Sequence, residues 1–299
     1  MNATTSEMLR LEAIGIPGRP SSWARMRRMA RQQPLGVVGL FIIAVLVITA
    51  AFAPWIAPYD PINIDADAVQ APSSAHWFGT DDKGRDVFSR VVYGSRESLE
   101  VGLVATLVAT AGGAIVGLLS GFFGGIVDMV LQRIMDALQA VPFLVLALVL
   151  VSIFGNATWK MMIVVGLAIV PGQGRVMRSA VLQQTESLYV EAARSIGASP
   201  MRLMWRHVFP NVMQIMIVLG TALLGSAILI ESGLAFLGFG TPPPAPSWGA
   251  DLSGSARQYF REAPWMAIFP GLALSLVVLG ANILGDALRD ILDPRLRNR

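Results

Sequence analysis

The sequence predicts an all-α integral membrane protein with six transmembrane helices, and three observations carry the prediction. Apolar residues make up 54% of the chain and charged ones 14%, with a mean hydropathy of +0.58; a soluble domain of 299 residues accommodates that balance only by burying nearly every element. Uncharged apolar runs recur along the chain, each near the roughly 20 residues a bilayer core requires of a helix. Charges collect between the runs, arginine in some intervals and aspartate in others. Repeated spans of this kind form a bundle, because in lipid a helix satisfies its own backbone donors and acceptors.

In chain order, Leu35 to Trp55 is the first span, Val101 to Phe123 the second and Ala137 to Phe154 the third. The fourth is weaker, since the apolar run Met161 to Val170 is short and the helix must continue through Pro171 and Gly172 to about Met177. Proline removes a donor and crowds the carbonyl four residues back, so this helix is expected inside the bundle, where neighbours cover the freed group. Val212 to Ile230 and Trp265 to Leu284 complete the set.

Arginine placement gives the orientation. Arg10, Arg19, Arg25, Arg27, Arg28 and Arg31 precede the first span against only Glu7 and Glu12, which marks the N-terminus as cytoplasmic. Six crossings then put the interval after the fourth span (Arg175, Arg178, Arg194, Arg202 and Arg206) and the C-terminal Arg295, Arg297 and Arg299 on the same side. The interval after the first span, with Asp60, Asp65, Asp67, Asp81, Asp82 and Asp86, and that after the fifth are the outside loops. Ala51-Phe-Ala53 has the form of a signal-peptidase site, but the apolar core before it exceeds the roughly 7–15 residues of a secretory signal. Its removal would also leave an odd number of spans and separate the arginine-rich ends. The Arg25 to Arg31 cluster is read as a segment attracted to anionic lipid at the cytoplasmic surface.

The chemistry that is missing narrows the function. Cysteine is absent, and the two histidines, His76 and His207, fall on opposite sides of the membrane, so no thiolate or histidine-pair metal site is available. A phosphate-binding loop needs a Gly-rich turn ending in lysine and Ser or Thr, and the lysines, Lys83 and Lys160, lie in no such context. A serine hydrolase would have only His207 as its cytoplasmic base. The readings that remain are an ion-coupled carrier, a channel for small solutes, and a permease driven by separate ATPases. Coupled carriers keep ionisable residues deep in the bundle, and the span centres hold none. Glu231 follows about 19 helical residues from the cytoplasmic face, which at about 1.5 Å each places it near the outer interface; a carboxylate reaching the outer headgroup region or the mouth of the bundle and a role in substrate passage are equal readings of it. Asp128, Arg133 and Asp136 form a polar stripe spaced for pairing along one helix.

The most informative interval lies between the fourth and fifth spans. Leu188, Ala192 and Ile196 fall on one stripe of a short helix, with Glu186, Glu191 and Arg194 off it. Gly197 sits where a helix stops and turns, and Ser199-Pro200 is a start signal for a second helix. There Met201, Met204, Trp205 and Val208 repeat at helical spacing while Arg202 and Arg206 face away, and Pro210 is expected to end the element before the fifth span. Two such amphipathic helices either lie flat on lipid or fit a groove on a soluble partner, and spacing alone does not choose between them.

Glu191-Ala192-Ala193, then Gly197, then His207-Val-Phe-Pro210 is similar to the coupling motif of bacterial ATP-binding-cassette importer permeases, with departures at His207 and Phe209. A histidine there, followed by two apolar residues and Pro-Asn, resembles the dipeptide/oligopeptide/nickel branch. Pro58-Tyr-Asp-Pro61, the run from His76 to Arg90, Leu234-Ala-Phe-Leu-Gly-Phe-Gly240 with Pro243 to Trp248, and the ending Gly285 to Pro294 resemble its C-type subunit. The resemblance runs from about Pro34 to the C-terminus.

The resemblance implies a type I importer permease (MetI-like) bundle. It also implies a cytoplasmic basic segment (residues 1–34), a first span with its outer loop (35–97) as an N-terminal addition, and a five-helix core (98–299) carrying coupling helices at about 185–210. Glu191, Ala192, Ala193, Gly197, Arg202, Trp205, His207 and Pro210 would contact an ATPase. The chain would bind no cofactor, metal or nucleic acid; ATP and magnesium would sit on two partner ATPases, and a second homologous permease and an external binding protein would complete an importer, with di- or oligopeptides as cargo, in a bacterial cytoplasmic (inner) membrane. The Asp81 to Asp86 run lacks the ligand spacing and distal Glu of a calcium loop and is expected to be a structured outer loop, while Pro242 to Pro246 is expected to be a stiff polyproline connection.

Overall fold

The computed structural model describes residues 33–292 except Asn156. The arginine clusters expected at the two ends, Arg10 to Arg31 and Arg295 to Arg299, lie outside the described residues. Within them every regular element is helical, apart from an isolated bridge between Thr80 and Asp86.

Helix α1 (Pro34–Ala51) begins with proline at its first turn, where the missing N–H costs nothing, and a single turn, α2 (Ala53–Ile56), closes it. Helix α3 (Val87–Phe123) starts on Asp86, whose carboxylate accepts from the Ser89 N–H at 2.7 Å. Its 37 residues reach about 55 Å, well beyond a roughly 30 Å hydrocarbon core. The second span was expected from Val101; Arg90, Arg96, Glu97 and Glu100 end the apolar run but not the helix, so α3 begins with a charged third that precedes the apolar run.

The third span is not one rod. Helices α4 (Gly125–Gln139) and α5 (Phe143–Phe154) are bent 94° from each other. Pro142 causes the break, since it donates no N–H and disfavours helical backbone at Val141 before it. Alone, the 12 residues of α5 reach only about 18 Å.

Helix α6 (Thr158–Thr185) runs unbroken through Pro171, so the weak fourth span is a full-length one. It is the most buried of the spans, with more than half its apolar stretch covered. Its partner is α3, which lies parallel to it and presents glycine every fourth residue. A Cβ on Gly113 would meet the Gln173 Cβ at 2.4 Å, one on Gly117 the Met177 Cβ at 2.4 Å, and one on Gly121 the Val181 Cβ at 2.9 Å. Small residues at this spacing let two backbones approach where lipid supplies no hydrophobic drive, and the close wall of α3 covers the turn that Pro171 loosens.

Chain order continues through α7 (Leu188–Ser195), α8 (Pro200–Arg202) and a π-helical turn (Leu203–Val208) into α9 (Phe209–Phe236). After α10 (Trp248–Asp251) and α11 (Gly254–Gln258), α12 (Trp265–Leu292) completes the bundle. It packs on α9 through Gly225 and Gly285, and on α1 through Gly39, whose Cβ would meet the Leu284 N at 2.7 Å and the Gly280 carbonyl at 2.8 Å. Counting the bent pair as one span gives six crossings. Residues 57–86 and 237–264 cover one end of the bundle, the loop end, and residues 186–208 occupy the other, the hairpin end.

Candidate functional site

The hairpin end is built on one glycine. Helix α7 closes with the Ala198 N–H donating to the Ala193 carbonyl (3.1 Å) and the Gly197 N–H to the Arg194 carbonyl (3.0 Å), while Gly197 takes φ +83. That pair of bonds around a left-handed residue is the Schellman cap, which a side chain at Gly197 would strain. Ser199 then occupies the N-cap position of α8, but its side chain makes no capping bond; its carbonyl accepts from the Leu203 N–H at 2.9 Å.

One expectation for this hairpin is corrected and another is left open. The stripe Leu188, Ala192, Ile196 points outward, as either a lipid-facing or a groove-docking hairpin requires, with Leu188 82% and Ile196 87% exposed, and Met201 and Trp205 are also more than half exposed. The face against the bundle is instead Val190 and Ala193 from α7 with Leu203, Met204 and Val208 from the second arm, packed on Leu118, Met177, Val181 and Val212. A short helix with two apolar stripes does not declare which one its own bundle takes. Pro210, expected to end the element, lies within a continuous helix from Pro200 to Phe236. The wider π turn just ahead of it accommodates the ring and the missing donor.

Of the other predicted residues, Glu191, Ala192, Arg202 and Pro210 are exposed, Ala193 is buried and His207 is half-buried. The His207 carbonyl accepts from the Asn211 Nδ2 (2.6 Å) and the Tyr189 hydroxyl (3.3 Å), which ties the two arms together. The hairpin thus uses one apolar face to seat itself and keeps a second, rimmed by Glu191, Arg194, Arg202 and Arg206, free.

Glu231 lies at the opposite end and is 0% exposed. Its carboxylate accepts from Ser232 Oγ (3.1 Å) and Ser247 Oγ (3.4 Å), so the headgroup-facing reading is corrected. Glu97 of α3 is buried nearby and accepts from Thr241, which contacts Thr158 at 3.0 Å. Above them, Arg90 binds both loops. It donates to Asp251 from Nε (3.1 Å) and Nη2 (2.5 Å) and from Nη1 to the carbonyls of Pro61 (3.0 Å) and Pro244 (3.2 Å). Burial pushes the Asp251 carboxyl above its ordinary range, and the Arg90 charge opposes that. Asp81 holds Arg85 at 2.6 Å and caps the Lys83 and Arg85 N–H groups, while His76 contacts Asp86 at 3.0 Å. The run from Asp81 to Asp86 is therefore an internally bonded loop. The proline segment turns at Pro243–Pro244 instead of running extended. Among the described residues no group of three or more His, Asp or Glu side chains is placed to hold a metal.

One set of polar contacts escaped the sequence. Asp128 and Asp136 pair not along their own helix but across to α6, with Arg178 (2.6 and 2.5 Å) and Arg175 (2.5 Å). The signal was the repeat Asp128, Gln132, Asp136 at every fourth position, one polar face on a helix whose opposite side is apolar.

Comparison with known proteins matches residues 113–298 to the family described as binding-protein-dependent transport system inner membrane component. Residues 21–72 match the N-terminal transmembrane domain of oligopeptide transport permease C. The chain is 40% identical over 280 residues to a dipeptide transport system permease of Alkalihalophilus pseudofirmus, covering 93% of this chain and 91% of that one. It is 38% identical over 296 residues to a glutathione transport system permease of Pectobacterium atrosepticum (98% and 96% covered). Against a probable D,D-dipeptide transport system permease of Escherichia coli the identity is 38% over 273 residues (91% of each).

Proposed function

The chain belongs to the binding-protein-dependent transport inner membrane components, and we propose that it is one permease subunit of a peptide importer whose energy comes from separate ATPases. The observation that carries this reading is the second apolar face of the hairpin, left outside after the first has seated on the bundle. A helix pair fixed at a set angle by the Gly197 cap, with Leu188, Ile196, Met201 and Trp205 outward and charges around them, suits a groove on a soluble protein.

In this reading the hairpin end is cytoplasmic, both termini lie on that side of a bacterial cytoplasmic membrane, and the loop end receives substrate from an external binding protein. A second homologous permease completes the path and two ATPases hold ATP and magnesium, none of which this chain binds. Residues 98–299 form the translocating core, residues 35–97 an added span and loop, and residues 1–34 a basic cytoplasmic segment. Closure of the ATPases moves the hairpin, and the spans pass from inward- to outward-facing. Glu231, sealed under the loop end, borders the entry of the path. Dipeptide and glutathione in the names of the relatives support short peptides as the cargo class.

The test is purification of the tagged chain from its own membranes in mild detergent, with partners identified by mass spectrometry and uptake of labelled dipeptides measured after reconstitution. Recovery of a second permease and ATP-binding-cassette subunits, with uptake that requires ATP, is the expected result. A chain that transports alone, or that follows an ion gradient without ATPases, overturns it.

A further inference from the structure

The bent span is attached to the rest of the bundle in an unusual way. Only Met135 of α4 is buried. Ile126, Met129, Val130 and Ile134 point away from the fold, while the polar face turns inward. There Asp128 accepts from both Nε and Nη2 of Arg178, at 2.6 and 2.5 Å, and from the hydroxyl of Ser120, which in turn accepts from Gln132 Nε2 at 2.9 Å. A two-toothed guanidinium–carboxylate pair fixes orientation as well as distance. It is partly shielded from solvent, whereas the neighbouring Arg175–Asp136 pair is half exposed on both sides and contributes little.

Arg178 stands on the part of α6 that the hairpin holds. Met177, Ala180 and Val181, its neighbours along the helix, pack in the same cluster as Val190, Ala193, Leu203, Met204 and Val208 of the hairpin. Displacement of the hairpin therefore acts directly on the α6 segment that carries Arg178, and the Asp128 contact is the tightest connection from there to α4. Beyond α4 the chain turns 94° into α5, a half-length helix that a tilt of α4 would swing.

We propose that the Arg178–Asp128 pair, braced by Ser120, is the link that passes hairpin motion to the bent span, making both residues positioning residues for the transport cycle. This rests on the ATPase-driven importer reading above. The pair transmits by staying closed: a rigid tie at the α4–α6 contact turns a shift of α6 into rotation of α5, and without it α4 is left with the half-exposed Arg175–Asp136 pair, the Gln132–Ser120 bond and Met135 to hold it against the bundle.

The experiment uses the complete complex in proteoliposomes with a reporter cysteine at Val145 on the exposed side of α5; the chain has no cysteine of its own. Maleimide labelling is compared without nucleotide and with ATP plus vanadate. The unmutated pair is expected to give an ATP-dependent change in labelling rate. Arg178→Ala is expected to reduce that change about twofold to thirtyfold, the range single positions contribute to coupling, while ATP hydrolysis and assembly are retained. The exchanged pair, Asp128→Arg with Arg178→Asp, is expected to recover it, and Arg175→Ala to leave it in place. If Arg178→Ala does not assemble, Asp128→Asn, which keeps the shape and the Ser120 contact, carries the same expectation. A full response in Arg178→Ala or Asp128→Asn overturns the link alone. A reporter that ignores ATP in an unmutated complex whose uptake requires ATP overturns the link alone, and uptake by that complex without ATP overturns the importer reading and the link with it.

Discussion

Glycine at positions 113, 117 and 121 is what brings α3 and α6 into backbone contact, and the cost of adding atoms there is graded by what they meet. A Cβ at Gly117 lies 2.4 Å from the Met177 Cβ, 2.7 Å from the Arg178 N and 2.8 Å from the Gly174 carbonyl, none of which is the free end of a flexible side chain. Gly117→Leu is expected to destabilise the protein by at least the ~1–3 kcal/mol typical of overpacking, read as a lowered melting temperature in detergent. Gly233→Ala, where nothing lies within 4 Å, is expected to hold or gain up to ~1 kcal/mol, because alanine is the better helix former. The same residue-level logic explains why Gly197 was readable in advance and the glycines of α3 were not. A helix stop is a local property of the chain, whereas a close approach depends on a second helix that only the fold supplies.

Among the elements, the hairpin separates what seats it from what it offers. Leu188→Asp with Ile196→Asp changes two outward side chains, so the melting temperature is expected to stay where it is, within the roughly 0.5 kcal/mol of ordinary surface changes. Co-purification of the ATPases is expected to fall by about tenfold or more, since apolar anchors at the centre of an interface each cost ~2 kcal/mol or more when removed. Val190→Asp, which buries a charge among Met177, Val181 and Val208, is expected to do the reverse and destabilise the chain itself by several kcal/mol. A pull-down and a melting curve on the same preparations separate the two. The six crossings, the hairpin and the Gly197 turn were legible because each rests on apolar run length or on turn chemistry within a few residues. The stripe that packs inward, the 94° elbow and the continuity past Pro210 were not, because in each the local signal was ambiguous and the decision came from neighbouring helices. Leu188 and Val190 are equally apolar by sequence, and only the position of α6 distinguishes them.

For the whole molecule, the two ends are held by different means. The hairpin end is an apolar cluster; the loop end is a charged network centred on Arg90, which joins residues from both of its loops. Arg90→Ala leaves Asp251 and the Pro61 and Pro244 carbonyls without that donor, and a loss of about 3–5 kcal/mol is expected, as for other buried pairs broken on one side. Thermal unfolding of the purified chain, with cleavage by an added protease in the 237–264 loop as a local probe, is the measurement. Organisation at this scale was partly legible: the aspartate-rich interval announced a loop between spans, but nothing announced that Arg90, on the following helix, would be its hub. The short α5 has a consequence for how the molecule is made. A 12-residue apolar helix preceded by a polar-faced one is a poor substrate for lateral release from a translocation channel, one helix at a time as the ribosome delivers them. Insertion of α5 is therefore expected to be completed only once α6 has been synthesised beside it, so that the third and fourth spans enter the bilayer as a pair; carbonate-resistant insertion of a chain truncated before α6 is the result that would count against this.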